Sequence, residues 1–293
     1  MSRRSVAEVP ILVTGASSGI GRAVAFALAE RGGRLAIAAR RRSNLEEVAD
    51  QIEGTGLIRP HVIEVDLSRP GAAAELAQNV IAALGRVQIL INNAGVGMVA
   101  ALSAVGDDDQ ARALFETNLW SPLALTRHLF PALSAGGGLV VNVTSSLQAV
   151  PIPLLGYYGA SKAAFAYLTR TLRHELKDTG VSVLEIVPGA TDTAARDIDL
   201  LPWRNGPTRT PPPVSAESVA KAIVKAIEQG EYRRVHPATS LLPLEIPALG
   251  RFIAKLVTRR LDTDSVGAGA IAAGCLPEPQ DDQHQSDRRG RPA

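Results

Sequence analysis

An α/β protein built on a doubly wound parallel sheet is what this sequence of 293 residues predicts. Three observations lead there. Short, branched apolar runs alternate with Ala-rich helical stretches as far as Val187, the pattern of consecutive βαβ units. Each run is bounded by Gly or polar residues, as buried strands are. Hydrophobic residues make up 46% of the chain but aromatics only 4%, so the core must be built from Ala, Val, Leu and Ile, which suits buried strands under Ala-rich helices. The length fits one such domain. The chain therefore reads as a single domain with a C-terminal helical extension.

The expected strands are Val9–Thr14, Arg34–Ala39, Val62–Val65, Ile89–Asn92, Leu139–Val143 and Val181–Val187. The expected helices between them are Ile20–Arg31, Asn44–Glu53, Ala72–Leu84, Gln110–Leu133 and Tyr158–Asp178. Residues 1–8 form an N-terminal arm. Beyond Pro188 the pattern loosens, and residues 197–213 read as a Pro-, Gly- and Arg-rich loop. Ser215 then opens a helix to Gln229 with a start like a capping box. A last helical stretch covers about Ala248–Leu261, so the domain spans 9–262. Residues 263–293 read as a disordered tail.

Composition excludes several classes. The formal net charge is +2, so bulk charge gives no reason to expect nucleic acid. The lone cysteine, Cys275, excludes an intrachain disulfide and a multi-cysteine metal site, and no metal is expected. The N-terminus shows no secretory signal, and no run of about 18 apolar residues suggests a spanning helix. A cytoplasmic protein is the expectation.

The first strand runs into Thr14-Gly15-Ala16-Ser17-Ser18-Gly19-Ile20-Gly21. Glycines belong where a chain turns tightly or a ligand approaches the backbone. The helix that follows offers free N–H groups and a positive dipole end to a pyrophosphate. An ordinary strand-to-helix turn could also use such glycines, but this position is where dinucleotide sites lie. After the second strand an acid would hold a ribose 2′-OH. Here Ala39 is followed by Arg40-Arg41-Arg42, and no acid comes until Glu46. An arginine there suits a 2′-phosphate, so NADP(H) is expected over NAD(H). A solvated charge run is the alternative.

Tyr158 and Lys162 stand four residues apart and share one helix face. A free phenol titrates near about 10, and a fixed cation beside it brings it toward neutrality. It can then act as general base toward an alcohol or general acid toward a carbonyl. Tyr157 is the rival, but Ser161 rather than a lysine lies four residues after it. The fifth strand ends in Asn142-Val-Thr-Ser145-Ser146, at the edge where parallel sheets bind ligands. A hydroxyl there can donate to a substrate oxygen as charge develops, or can simply close a turn.

Together these residues resemble the short-chain dehydrogenase/reductase family over roughly residues 9–235, which implies a Rossmann-like fold. The family's glycine motif matches Thr14 to Gly21. Its Asp-Leu pair after the third strand matches Asp66-Leu67, and its Asn-Asn-Ala-Gly matches Asn92-Asn93-Ala94-Gly95. Its helix asparagine matches Asn118. Its serine, 13 positions before the tyrosine, selects Ser145 over Ser146. Its Pro-Gly pair matches Pro188-Gly189, followed by Thr191 and Thr193. The resemblance implies that Ser145 orients the substrate oxygen, Tyr158 exchanges the proton, Lys162 holds the nicotinamide ribose, and Asn118 anchors a water that relays protons. It implies cofactor contacts from Gly15, Ser17, Ser18, Gly19, Ile20, Gly21, Arg40, Asp66, Leu67, Asn93, Ala94, Gly95, Pro188, Gly189, Thr191 and Thr193. Ser17 and Arg40 are the positions to touch a 2′-phosphate. Ser18 departs from NADP-using members that carry a basic residue there.

The resemblance also implies a substrate flap at about 194–213, with Leu200, Leu201 and Trp203 as apolar contacts for a lipophilic carbonyl or alcohol. It implies a homodimer or homotetramer paired through the two long central helices. The stretch Ala248–Leu261 is amphipathic, with Leu249, Phe252, Ile253, Leu256 and Val257 against Arg251, Lys255, Arg259 and Arg260. Packing on the parent domain or a second subunit is the expectation, ahead of peripheral membrane contact. Two other functions stay open: a silent nucleotide-binding regulator or scaffold, and an epimerase or dehydratase using the same tyrosine.

Overall fold

The computed structural model describes residues 4–193, 200–206 and 212–262. Seven strands form one sheet, in the order β3-β2-β1-β4-β5-β6-β9, and every neighbouring pair is parallel. They are β1 Pro10–Thr14, β2 Arg34–Ala39, β3 His61–Glu64, β4 Ile89–Asn92, β5 Leu139–Val143, β6 Ser182–Pro188 and β9 Arg233–His236. Helices α1 Gly19–Ala29, α2 Arg42–Gly54 and α8 Ala216–Gln229 cover one face. Helices α3 Ala72–Leu84, α6 Ser121–Ala135 and α7 Gly156–Glu175 cover the other. The alternation of strand and helix in sequence thus gives a three-layer, doubly wound sheet.

Alternate residues of each strand serve opposite faces. Ile11, Val13, Ile37, Ile89 and Ile91 join Val24, Leu28, Leu45 and Ile223 on the α1 side. Leu12, Ala36, Ala38, Leu90 and Val140 join Leu76, Val80, Leu125 and Leu129 on the other. Both clusters are aliphatic, as the scarcity of aromatics requires. The N-terminal arm is tied down: Val6 is buried, and Arg4 donates to Gly137 O and Ser182 Oγ.

The strand order reverses between β1 and β4, which opens a crevice at their carboxyl ends. Thr14 staples that junction. Its Oγ1 donates to Ile91 O and accepts from Asn93 N and Ala94 N, each at 3.1–3.2 Å.

Three sequence expectations need correction. The predicted helix Gln110–Leu133 is interrupted: α5 Asp109–Phe115 passes through a π-turn, Glu116–Trp120, into α6. The seventh strand, β9, was unexpected; its sequence Arg-Arg-Val-His carries little strand signal, and it sits at the sheet edge, half-buried. Past Pro188 the structure is more ordered than a loop. Here β7 Thr191–Asp192 pairs with β8 Val214–Ser215. Ser215 does cap α8, its Oγ accepting from Ser218 N. Short helices α4 Leu102–Val105 and α9 Leu241–Glu245 precede α5 and α10 Pro247–Thr258 respectively. The predicted tail, 263–293, and most of the predicted flap lie outside the described residues. Among the described residues, no helix is long and apolar enough to cross a membrane.

Candidate active site

The glycine turn is built by steric necessity. Gly15 has φ +68°, and a Cβ there would lie 2.8 Å from Ala94 Cα. A Cβ on Gly21 would lie 2.2 Å from Gly15 O. Any side chain at either position would push the turn off β4, so only glycine allows this path. Gly19 has φ +54° and faces Thr193 at 3.1 Å from its absent Cβ. Asn93 Nδ2 donates to Thr14 O at 2.9 Å and locks the turn to the end of β4. Ser18, extended at the N-cap of α1, makes no side-chain cap there. Ile20 and Gly21 follow in the first turn of that helix, and Ser17 stands half-buried before it.

The arginine run divides its tasks. Arg42 pairs with Glu46 at 3.0 Å. Arg41, which sequence reasoning left unassigned, reaches back to Ser18 Oγ at 3.4 Å. Arg40 is exposed at the end of β2. Burial pushes the Asp66 carboxyl up, but hydrogen bonds from Ser68 N and Oγ and the charges of Arg40 and Arg69 outweigh it, and Asp66 is held below the usual carboxylate range. Leu67, beside it, is buried and its carbonyl accepts from Ser121 Oγ at 2.7 Å.

Asn118 sits inside the π-turn, which explains why that helix is not regular. Its buried amide bridges to the segment after β4: Oδ1 accepts from Val96 N at 2.8 Å, and Nδ2 donates to Val96 O at 2.9 Å. Nδ2 also donates to Ser161 Oγ at 3.0 Å, tying the π-turn to α7. A π-turn breaks the regular carbonyl ladder, and such turns recur at functional sites. The sequence signal was faint: an asparagine amid helix formers.

Lys162 is 4% exposed. Its Nζ donates to Val143 O at 3.1 Å and lies 5.9 Å from the centre of the Tyr158 ring. Burial lowers its pKa from the ordinary 10.5 to about 8. Gly95 leaves room beside it: a Cβ there would stand 3.2 Å from Lys162 Nζ and 3.3 Å from Asn118 Oδ1. Ala94 and Gly95 therefore bring bare backbone to the point where π-turn and lysine meet.

Tyr158 is half-buried on the first turn of α7, with Lys162 one turn on. The rival Tyr157 points elsewhere: it is buried, and its hydroxyl donates to Gly106 O at 2.6 Å. Tyr157 is a packing residue against Ala111 and Leu114. Ser145 lies two residues past β5, at the N-cap of a 3₁₀ turn, Ser146–Gln148, and its Oγ accepts from Leu147 N at 3.2 Å. The first turn of α7 packs on that 3₁₀ turn, with the absent Gly159 Cβ 3.4 Å from Leu147 O. Ser145, Tyr158, Lys162 and Asn118 thus come from three segments, the start of the 3₁₀ turn, α7 and the π-turn, that touch at one end of the sheet.

Pro188 closes β6, and Gly189 packs where a Cβ would meet Ser240 Oγ at 2.5 Å. Thr191 Oγ1 donates to Gly189 O, turning the chain so that Thr193 returns to Gly19. Next to Ser145, through Leu147, an apolar cluster gathers Val99, Leu147, Val150, Leu154, Leu155 and Leu201 with Trp203. Leu154 takes the left-handed region at φ +69°, its carbonyl held by Ala100 N at 2.8 Å. Of the flap residues, Leu201 is buried while Leu200 points outward at 72% exposure. Among the described residues, no group of acids, histidines and cysteines could hold a metal ion.

The matches to known proteins agree with this arrangement. A family model for short chain dehydrogenases matches residues 10–199. The 11-beta-hydroxysteroid dehydrogenase A of Sesamum indicum is 32% identical over 241 residues, 80% of this chain and 69% of that protein. The chain spans about half the length of another relative, 11-beta-hydroxysteroid dehydrogenase 1A of Arabidopsis thaliana, at 35% identity over 179 residues, 61% of this chain and 51% of that one. A metagenomic short-chain oxidoreductase crystallised with NADP superposes with a TM-score of 0.67 at 28% identity, covering 79% of this chain and 98% of the other. A short chain dehydrogenase/reductase of Burkholderia phymatum crystallised with NAD gives 0.73 at 26% identity, covering 85% and 97%. With the family match spanning the glycine turn, the π-turn asparagine and the serine, tyrosine and lysine alike, the chain belongs to the short-chain dehydrogenase family of oxidoreductases.

Proposed function

We propose that this protein transfers a hydride between NADP(H) and a lipophilic alcohol or ketone, with Tyr158 as the proton donor or acceptor. The observation that carries the reading is Lys162: a buried ammonium near the Tyr158 ring, beside a glycine where any side chain would crowd it. An ammonium has three donors, and Val143 O takes one, so diol hydroxyls of a ribose are suitable acceptors for the rest. The glycine turn at the β1/β4 switch point fits a pyrophosphate. When bound, the dinucleotide supplies the hydride chemistry.

The chain's own groups do the rest. Lys162, charged at neutral pH, stabilises the phenolate of Tyr158 and so lowers the barrier to proton exchange with the substrate oxygen. Ser145 donates its hydroxyl to that oxygen as charge develops there. Asn118 holds the π-turn against Val96 and Ser161, which keeps an irregular stretch of backbone carbonyls beside the lysine to order a relay water. Arg40 and Arg41, with Ser17 and Ser18, supply donors for a 2′-phosphate, and no acid stands at the end of β2 to claim a 2′-OH. Crystallised neighbours with NADP and with NAD leave this preference to those side chains.

The apolar wall of Leu147, Leu154 and Leu201 favours a lipophilic substrate, and relatives named as hydroxysteroid dehydrogenases point the same way. Titration of both dinucleotides, followed by NADPH oxidation on a panel of steroid, long-chain and small ketones, tests the reading. Turnover confined to lipophilic ketones is expected. Tight NADPH binding without turnover on the whole panel would instead make this a binding protein.

A further inference from the structure

The C-terminal hairpin presents a surface the active site does not use. Helix α10 is pressed against the chain after the 3₁₀ turn: a Cβ on Gly250 would lie 2.6 Å from Ala149 O. That approach fixes which way the helix faces. Gly250 and Ala254 are buried, with Ile253 and Val257 partly so, in the cluster that holds Leu147 and Leu154. Helical spacing then turns Phe252 and Leu256 outward, at 56% and 43% exposure. Leu242 and Ile246, in the turn before, add 56% and 48%. Arg251, Lys255 and Arg259 form a parallel stripe on the same outward face, all exposed. Among the described residues none of these three cations pairs with an acid, whereas Glu245 nearby is taken by Arg233. The sequence reading set this apolar face on the parent domain or on a second subunit; Ile253 and Val257 do pack on the domain, while the close approach at Gly250 leaves Phe252 and Leu256 outside.

Exposed apolar side chains beside unpaired cations, on one helix lying flat on the protein, match the two layers of a bilayer surface: acyl boundary and anionic headgroup. A second copy of this chain fits less well. A two-fold contact sets a patch against itself, and would bring this cationic stripe near its own image. We propose that the α9–α10 hairpin docks the protein on an anionic lipid surface, with Leu242, Ile246, Phe252 and Leu256 entering the interface and Arg251, Lys255 and Arg259 meeting the headgroups. The inner side of α10 backs the apolar wall near Ser145. If the oxidoreductase reading above holds, a lipophilic substrate passes from bilayer to site without crossing bulk water.

The test is co-sedimentation of the full-length protein with sucrose-loaded vesicles, without cofactor or substrate, so that it stands apart from any result on turnover. Binding to phosphatidylcholine–phosphatidylserine vesicles is expected, weak on pure phosphatidylcholine and falling as salt rises. Charge reversal at three positions (R251E, K255E, R259E) should lower the partition coefficient roughly a hundredfold. The pair F252D and L256D should lower it comparably, with an unchanged thermal midpoint showing that the fold survives. Absence of binding by the parent chain, or binding that neither variant weakens, overturns the proposal. A fall in sedimentation mass of the F252D/L256D variant, without vesicle binding by the parent, would give the surface to a second copy instead.

Discussion

The β1–α1 turn and the α9–α10 hairpin use side chains in opposite ways. In the turn and the segment after β4 that meets it, function depends on what is missing: Gly15, Gly21 and Gly95 keep backbone, asparagine and lysine within about 3 Å of where a Cβ would stand. In the hairpin, one glycine sets the docking and large side chains are left outside, Phe252 at 56% exposure. The difference teaches that one end of the molecule is specified by sterics, so a single methyl group should break it. The other is specified by surface chemistry, so whole side chains should change there without touching the reaction.

Several substitutions would break or sharpen that contrast. The largest effect is expected at Tyr158→Phe, which removes one oxygen next to the glycine-lined site. Ketone reduction should fall by about 10²–10⁴-fold with NADPH affinity unchanged, read by steady-state kinetics and fluorescence titration. Lys162→Met should separate activity from stability. Burial lowers the lysine pKa to about 8, so the folded protein carries a penalty for the ammonium that is fully present below pH 8 and disappears above about 10.5. That penalty is about 3 kcal/mol at neutral pH. Lys162→Met should therefore cut kcat/KM at least about tenfold while raising or holding the thermal midpoint. In the parent, kcat/KM for ketone reduction should decline on the alkaline side with a midpoint near 8, and Lys162→Arg should move that limb upward.

Gly21→Ala drives a methyl into Gly15 O and should cost about 1–3 kcal/mol by denaturant unfolding, with loss of dinucleotide binding. Arg40→Asp should shift preference toward NAD(H) by about tenfold or more, measured by titrating both dinucleotides. An unchanged ratio would transfer the role to Arg41. The smallest effect belongs to Ser215→Ala at the cap of α8, whose side chain serves that helix end: about 1 kcal/mol of stability and little change in turnover.

Much of this architecture could be read before any coordinates. Six of the seven parallel strands announce themselves as short apolar runs, the five inner ones because strands buried on both faces need little else. The seventh, Arg233–His236, did not, because an edge strand with two arginines lacks that pattern. The pairing of Tyr158 with Lys162 follows from spacing, because one helical turn sets the two together, whereas Ser145 was singled out from Ser146 by the family resemblance. Asn118 was reached through the family resemblance, but its π-turn was hardly legible: it arises with bonds to Val96 and Ser161, residues distant in sequence. Arg41 was missed for a similar reason. Three consecutive arginines look alike until α2 begins and sends Arg42 to Glu46 and Arg41 to Ser18. The outward turn of Phe252 was equally hidden, since periodicity locates an apolar stripe but not what covers it.

Transfer of label in a single turnover examines the chemistry most directly. NADPH carrying deuterium at nicotinamide C4 is mixed with the protein and a lipophilic ketone, and the product alcohol is analysed for deuterium at the carbinol carbon. One deuterium delivered to one face by the parent protein, and almost none by Tyr158→Phe in the same time, is the predicted result. Equal deuterium transfer by both proteins would contradict the assignment of Tyr158 and, with it, the role given to Lys162.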